Sequence, residues 1–303
     1  MNELFDFLIK KDVEHKFNHP MAEYTSVRIG GIATVIAFPD TQDKLTDLLR
    51  FLHNHSIRYT VVGHMTNVLP CDEEYRGVII ITRKLNRHQL NDTTVFAECG
   101  VTVSSLISRF AWLGLGGLES LCGIPGTVGG MIASNAGAYG FEIGDAVKGV
   151  KAYDPYSDRT IMLNRDDFHF SYRSSVFANS NLVILSAVLE LAPCASEIIM
   201  TKMGMIRQKR KLSQPLEYPS LGSVFKRVND VSAGQIIDQC GLKGLKVGGA
   251  MVSPKHAGFI VNTGGATAAD FCALIDTVKY EVYKQRTILL EEEIKRIEYS
   301  AAN

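Results

Sequence analysis

Gly123-Ile-Pro-Gly-Thr-Val-Gly-Gly130, followed closely by Ser134-Asn-Ala-Gly-Ala-Tyr-Gly140, is the stretch on which the reading of this chain turns. Backbone without Cβ atoms lets amide N–H groups come close to a ligand, and successive amides in turn conformations form concavities that accept phosphate. Gly126, Gly130 and Gly137 would supply such backbone, and Thr127, Ser134 and Asn135 would add side-chain donors. Tight turns between strands would need similar residues, so glycine content alone leaves both readings open. No GxGxxG or GKS/T occurs here at a strand-to-helix turn, which excludes a Rossmann fingerprint and a P-loop. A dinucleotide held by a different fold is compatible with what remains.

Working outward, the pattern alternates between strand and helix. Ala33 to Phe38 reads as a strand, and Thr41 to Ser56 as a helix with Leu45, Leu48, Leu49 and Leu52 on one face. Arg58 to Gly63 and Val78 to Thr82 read as further strands, giving an α+β unit around a sheet over residues 1–83. The loop Gly63-His64-Met65-Thr66-Asn67 follows its second strand directly and is a second candidate for phosphate, with Gly63, Thr66 and Asn67 as contacts; by itself it could equally be a polar turn. A second unit is expected over 84–195, with strands at Thr94–Cys99, Lys148–Tyr153, Arg159–Leu163 and Leu182–Leu191 and a helix over Val103–Leu113. A third is expected over 196–303. It opens on a basic helix ending in Arg207, Lys209, Arg210 and Lys211 and continues with a helix at Ala233–Cys240 and short strands near Ala250–Val252 and Gly258–Val261. The long helix from Thr267 carries Phe271, Ile275, Val278 and Val282 at spacings that put them on one buried face, and Glu293–Glu298 reads as a closing strand.

Lys plus Arg equal Asp plus Glu at 32 each, so no net field favours nucleic acid or an anionic membrane, and any anion must be held by a local site. The apolar fraction of 46% with 21% charged residues is that of a globular protein. The six cysteines show no CxxC pairing and no metal-ligand spacing, so they read as thiols of a reducing compartment and no metal is expected. Met1 to Lys11 lacks a basic leader with an apolar core, and no run is long enough to span a bilayer; a cytoplasmic location is the expectation.

Further strings fall in order along the chain: Thr25-Ser-Val-Arg-Ile-Gly-Gly31, Thr66-Asn67, the two glycine-rich segments, Ser171-Tyr-Arg173, Gly222-Ser-Val-Phe-Lys226, Ala233-Gly234, Gly248-Gly-Ala250, Lys255-His-Ala257 and Glu293-Ile-Lys-Arg-Ile297. In this order and over nearly the whole chain they resemble the UDP-N-acetylenolpyruvoylglucosamine reductase family. The resemblance implies a flavin-binding region of the vanillyl-alcohol-oxidase type, with two α+β subdomains holding FAD non-covalently and a C-terminal α+β domain for the nucleotide-sugar. Without an obvious insertion, the chain is similar to the shorter, second type. Two departures stand out. Met65 and Thr66 occupy positions where the family carries glycine and serine, putting a side chain where bare backbone normally approaches a pyrophosphate. Arg286-Thr-Ile288 replaces the usual Phe-Gly turn.

The implied reaction uses NADPH to reduce FAD, and the flavin then passes hydride to the terminal carbon of the enolpyruvyl group of UDP-N-acetylenolpyruvoylglucosamine, yielding UDP-N-acetylmuramate for peptidoglycan. The carbon accepts hydride only if negative charge spreads into the neighbouring carboxylate, so an enolate-like state must be stabilised. By motif, Arg173 would give the carboxylate a forked cation. Glu293 would lie at that carboxylate in protonated or cation-coupled form. Ser223 would deliver the proton, aided by a cation such as Lys211. Tyr172, Lys211 and Arg227 are candidates for the sugar nucleotide and its diphosphate. Taken singly, these residues also fit a surface ion pair, a turn hydroxyl and a solvated run of three glutamates. Two competing functions remain at this level: a non-catalytic paralogue that binds a nucleotide-sugar or a protein partner, favoured by the His64-Met65 loop, and a flavin oxidase of the same superfamily.

Overall fold

The computed structural model describes residues 2–297. The chain runs through α1 (Asn2–Lys10), β1 (Glu14–Pro20), β2 (Ile32–Phe38), α2 (Gln42–Asn54), β3 (Tyr59–Val62), β4 (Val68–Pro70), β5 (Tyr75–Ile81), β6 (His88–Asn91) and β7 (Thr94–Glu98). It continues with α3 (Val103–Trp112), β8 (Leu115–Gly116), α4 (Val128–Ala133), β9 (Gly137–Ala138), β10 (Phe141–Glu142), β11 (Val147–Asp154), β12 (Arg159–Asn164), β13 (Val183–Glu190) and β14 (Ala192–Pro193). Last come α5 (Ser196–Ser213), β15 (Ser220–Ser223), α6 (Ala233–Gln239), β16 (Lys246–Val247), β17 (Ala250–Val252), β18 (Phe259–Asn262), α7 (Ala268–Arg286) and β19 (Lys295–Ile297).

The fold is α+β, and it divides into two compact units that are discontinuous in sequence. One comprises Met1–Phe17, Val35–His64 and Gly77–Gln208; the other comprises Asn18–Thr34, Met65–Arg76 and Lys209–Asn303. The boundaries read from composition, 83/84 and 195/196, do not coincide with these divisions. Two short excursions, 18–34 and 65–76, leave the first unit and return, and their apolar residues Val27, Ile29 and Leu69 join the core of the second unit. Composition along a chain does not reveal such excursions, because each is too short to carry a signature of its own.

In the first unit, Thr41 caps α2 by accepting a bond from the Lys44 amide at 3.2 Å. Leu45, Leu48, Leu49 and Leu52 are fully buried, the face expected from their spacing. At about 2 kcal/mol per buried leucine, this face holds the helix far more strongly than intrinsic propensity can. A five-stranded sheet has the order β12-β11-β13-β7-β6, with neighbours antiparallel. Its central strand β13 is buried along Val183–Ala187. Within a second sheet, β3 runs parallel to β5 with Val62 opposite Ile81, which delivers the chain to Gly63 at the end of β3.

The second unit packs α6 and α7 on a four-stranded sheet of order β15-β18-β17-β16. Thr267 and Asp270 form a capping box at the start of α7. Phe271, Ile275, Val278 and Val282 are all 0% exposed, as their spacing required. The closing strand is shorter than expected, β19 spanning Lys295–Ile297 and pairing in parallel with β4; Glu298 lies outside the described residues. Among the described residues, no helix is long and apolar enough to cross a membrane.

The two departures from the family pattern both fall on left-handed backbone. Met65 has φ +49° and Thr287 has φ +58°, both in the left-handed region that glycine occupies without steric cost. Thr287 ends α7 there, its amide donating to Tyr283 O at 2.8 Å. A β-branched residue in this conformation is strained. Because Thr287 is exposed, Thr287→Gly should lose no packing and should stabilise the protein by about 1 kcal/mol, seen as a rise of roughly 2–4 °C in Tm. An unchanged or lowered Tm would show that the strain is relieved otherwise.

Candidate functional site

In the first unit the glycine-rich segment is organised around α4. Thr127 is its N-cap, accepting from the Gly130 amide at 3.3 Å, while the Val128 and Gly129 amides donate to Val101 O and Cys99 O. The first amides of α4 are thus satisfied by protein acceptors. Different glycines here have different reasons to exist. A Cβ on Gly129 would lie 2.8 Å from the Cys99 Cβ, and one on Gly137 2.5 Å from Phe141 O, so both are demanded by packing. A Cβ on Gly63 would fall 2.3 Å from Thr127 Oγ1, which shows that the loop after β3 lies directly against the α4 cap. Gly123 and Gly130 are exposed and a Cβ on Gly140 would meet nothing within 4 Å, so these offer bare backbone to an approaching ligand, whereas a Cβ on the half-buried Gly126 would press on the Met131 side chain at 3.1 Å. Ser134 is half-buried, its hydroxyl donating to Gly130 O at 3.0 Å. The strip of backbone beside the buried Thr127 fits a flavin nucleotide in the room that its glycines leave.

Asn135 is 1% exposed, and its side chain is committed to the protein. Its amide nitrogen donates to Glu142 Oε2 at 2.6 Å and to Ser171 O at 3.0 Å, and its oxygen accepts from the Gly144 amide at 3.1 Å. The Ser171-Tyr-Arg173 string forms a tight turn closed by paired backbone bonds between Ser171 and Ser174. Arg173 sits at its second central position with φ +54°. Its guanidinium stacks over the Tyr172 ring at 4.9 Å and donates to Gly137 O at 3.0 Å. Tyr172 is 41% exposed.

In the second unit, Gly222 has φ +79° and marks a register shift between Ser220 and Ser223 in the β15–β18 ladder. Such a bulge re-aims the next side chain. That residue is Ser223, half-buried, with its hydroxyl donating to Phe225 O at 3.3 Å. The segment carrying Glu293 runs alongside: the Glu293 amide donates to Val224 O at 2.8 Å, and the Lys226 amide to Glu291 O at 2.8 Å. Asn67 fastens the same segment, its side chain donating to Glu293 O at 3.1 Å while its own carbonyl accepts from the Lys295 amide at 2.9 Å. The structure therefore brings the Ser223 and Glu293 segments together.

The three glutamates have separate fates. Glu291 pairs with Lys226, and Glu292 with Lys279 and Arg296. Burial pushes the Glu292 carboxyl up, but the bonds from Lys279 and Arg296 outweigh it and hold the group below the usual carboxylate range. Glu293 is half-buried. Thr66 is half-buried and Lys211 and Arg227 are exposed; the Lys211 carbonyl accepts from Lys255 Nζ at 2.7 Å. What sequence reading missed is the support: the Gly222 bulge, the role of Asn67 as a strap, and the buried Asn135.

Two histidines have depressed basicity. Burial, reinforced by the Arg83 guanidinium, lowers His64; burial, reinforced by Lys243, lowers His256, whose Nδ1 accepts from the Gly258 amide at 3.2 Å. A histidine with lowered pKa binds protons less well folded than unfolded, so its stabilisation is present above its ordinary value of 6.5 and is lost as pH falls through the folded value. Tm should accordingly fall between about pH 7.5 and pH 5.5, with a shallower slope in His256→Gln. An equal slope in the variant would contradict the assignment.

A family model described as FAD binding domain matches residues 33–159, which contain the glycine-lined strip. Fold and strip together define an FAD-binding α+β protein. A second family model, UDP-N-acetylenolpyruvoylglucosamine reductase, C-terminal domain, matches residues 214–297, which carry Ser223 and Glu293. The UDP-N-acetylenolpyruvoylglucosamine reductase of Carboxydothermus hydrogenoformans is 42% identical over 280 residues, covering 91% of this chain and 92% of the relative. That of Caldicellulosiruptor bescii is 41% identical over 293 residues, covering 96% and 93%. The crystal structure of UDP-N-acetylenolpyruvylglucosamine reductase from Thermus caldophilus superposes with a TM-score of 0.79 at 30% identity, covering 94% of this chain and 98% of that one. The chain belongs to the UDP-N-acetylenolpyruvoylglucosamine reductase family.

Proposed function

We propose that this protein is an NADPH-dependent UDP-N-acetylenolpyruvoylglucosamine reductase, forming UDP-N-acetylmuramate for peptidoglycan in the cytoplasm, and that it is of the shorter, second type. The observation that carries the reading is the pairing of the Ser223 bulge with the Glu293 segment, in a chain whose relatives of the same name match it over more than nine-tenths of its length. FAD, when bound, would take hydride from NADPH and deliver it to the terminal carbon of the enolpyruvyl group. Gly63, Thr66, Asn67, Gly126, Thr127, Gly130, Ser134 and Gly137 would hold it, largely through backbone.

The protein's own work is on charge and protons. Arg173 receives the substrate carboxylate, where its fixed cation opposes the charge that develops as the carbon is reduced. Its left-handed backbone is a strained conformation of the kind that persists where surrounding structure over-determines it. Ser223 donates its hydroxyl proton to the carbon beside the carboxylate. Glu293 acts at the same carboxylate. Tyr172, Lys211 and Arg227 serve the sugar nucleotide, the two cations through its phosphates.

The test is NADPH consumption by the purified, flavin-loaded protein. Consumption that requires UDP-N-acetylenolpyruvoylglucosamine supports the reading. Consumption that proceeds equally well without it, at the expense of oxygen, would identify an oxidase instead.

A further inference from the structure

We propose that Asn135 is a positioning residue for the substrate carboxylate, acting through Arg173 and not as a side-chain ligand of the flavin. The inference rests on the role given to Arg173 above. The loop that begins at Asn135 grips the Ser171–Ser174 turn at two points. The Asn135 amide donates to Ser171 O, and two residues on, Gly137 O accepts from Arg173 Nη2 at 3.0 Å. Both amide hydrogens of Asn135 are used, one on Glu142 Oε2 and one on Ser171 O, and its oxygen takes the Gly144 amide.

The geometry is specific to asparagine. The side chain must donate twice and accept once in a site that is 1% exposed. Aspartate would lose both donors and set a carboxylate against that of Glu142. Alanine would leave buried partners unpaired. The neighbourhood leaves little room for adjustment: a Cβ on Gly144 would sit 2.8 Å from Asn135 Oδ1 and 2.7 Å from the Phe170 ring. Arg173 holds a left-handed backbone that no glycine relieves, so the turn keeps its shape only while its flanks are fixed. Asn135 fixes one flank.

The test is a double-mutant cycle on binding of the product, UDP-N-acetylmuramate, to the flavin-loaded enzyme, with flavin content and NADPH reduction of the flavin measured in parallel. Asn135→Ala should weaken product binding on the order of tenfold to a hundredfold, the worth of about one hydrogen bond to a charged group. Flavin content and its reduction should stay near wild type. In an Arg173→Ala background, Asn135→Ala should have almost no further effect, because residues that act through one another do not add. Additive losses, or loss of flavin with product binding intact, would overturn the proposal. If Arg173→Ala itself leaves product affinity unchanged, the role of Arg173 falls first and takes this inference with it. Should Asn135→Ala not fold, Glu142→Ala decides the matter. It removes one anchor of the amide and should give a smaller loss in the same direction that also vanishes without Arg173; no loss, or a loss that persists, counts against the proposal.

Discussion

Ser223→Ala should cut reduction of the enolpyruvyl substrate on the order of 10²–10⁴-fold while leaving reduction of the bound flavin by NADPH near the wild-type rate. The magnitude is that of a lost general acid. The asymmetry follows because the hydroxyl is needed only when the substrate carbon takes a proton. Alanine is a clean substitution here, since the bulge is made by Gly222 at φ +79° and the serine hydroxyl makes only a 3.3 Å bond to Phe225 O. The neighbouring ladder, Val224 to Gly258 and Glu293 to Val224, is backbone and survives the change. Stopped-flow traces of the two half-reactions separate the cases. Equal losses in both halves of a folded variant would remove Ser223 from the role of proton donor.

Gly31→Ala should be among the most damaging single changes to the fold, on the order of 4 kcal/mol and roughly 10 °C in Tm. A Cβ at this position would fall 2.1 Å from Asp72 O and 2.6 Å from Glu73 O, and both obstacles are backbone. The Gly31 backbone cannot shift away, because its amide donates to Cys71 O at 2.8 Å and its carbonyl accepts from the Met21 amide at 2.9 Å. Asp72 itself is tied down, its carboxylate accepting from the Ala268 and Ala269 amides at the start of α7. The two excursions, 18–34 and 65–76, are thus pinned together at Gly31, and both belong to the second unit. Thermal unfolding of the variant followed by circular dichroism measures the effect. A fall of only a degree or two would mean that the 71–73 backbone yields more readily than its hydrogen bonds imply.

Much of the architecture was legible because apolar periodicity reports burial directly. The leucines of α2 and the Phe271–Val282 face of α7 were placed by spacing alone, and all eight of those side chains are fully buried. Elements whose residues lack that signal were not seen. Strand β1, Glu14–Pro20, is polar and only partly buried, and α4 is a six-residue helix inside a segment whose glycines mask it. The discontinuous units were also invisible, since Val27, Ile29 and Leu69 belong to a core assembled from distant segments.

The candidate site was legible in its chemistry and not in its supports. Arg173, Ser223 and Glu293 were named from short ordered strings, but nothing in those strings shows that a bulge aims Ser223 or that Asn67 straps Glu293. Nor could glycine content distinguish Gly129, where a Cβ would press on Cys99 at 2.8 Å, from Gly130, where a Cβ would come no nearer than 3.4 Å to Thr127 Oγ1. The departures at Met65 and Thr287 both fall on left-handed backbone, where a side chain carries a conformational cost that glycine avoids, and Met65 is 2% exposed. The sequence difference at Met65 therefore alters conformational cost more than it alters the exposed loop.

The most direct test of the whole account is an anaerobic absorbance spectrum of the flavin-loaded protein, taken before NADPH, after one equivalent of it, and again after one equivalent of UDP-N-acetylenolpyruvoylglucosamine. The visible flavin band should be present, bleach with NADPH and return in full with the sugar nucleotide. Protein that cannot be loaded with flavin, or a bleached band that the sugar nucleotide fails to restore, would contradict it.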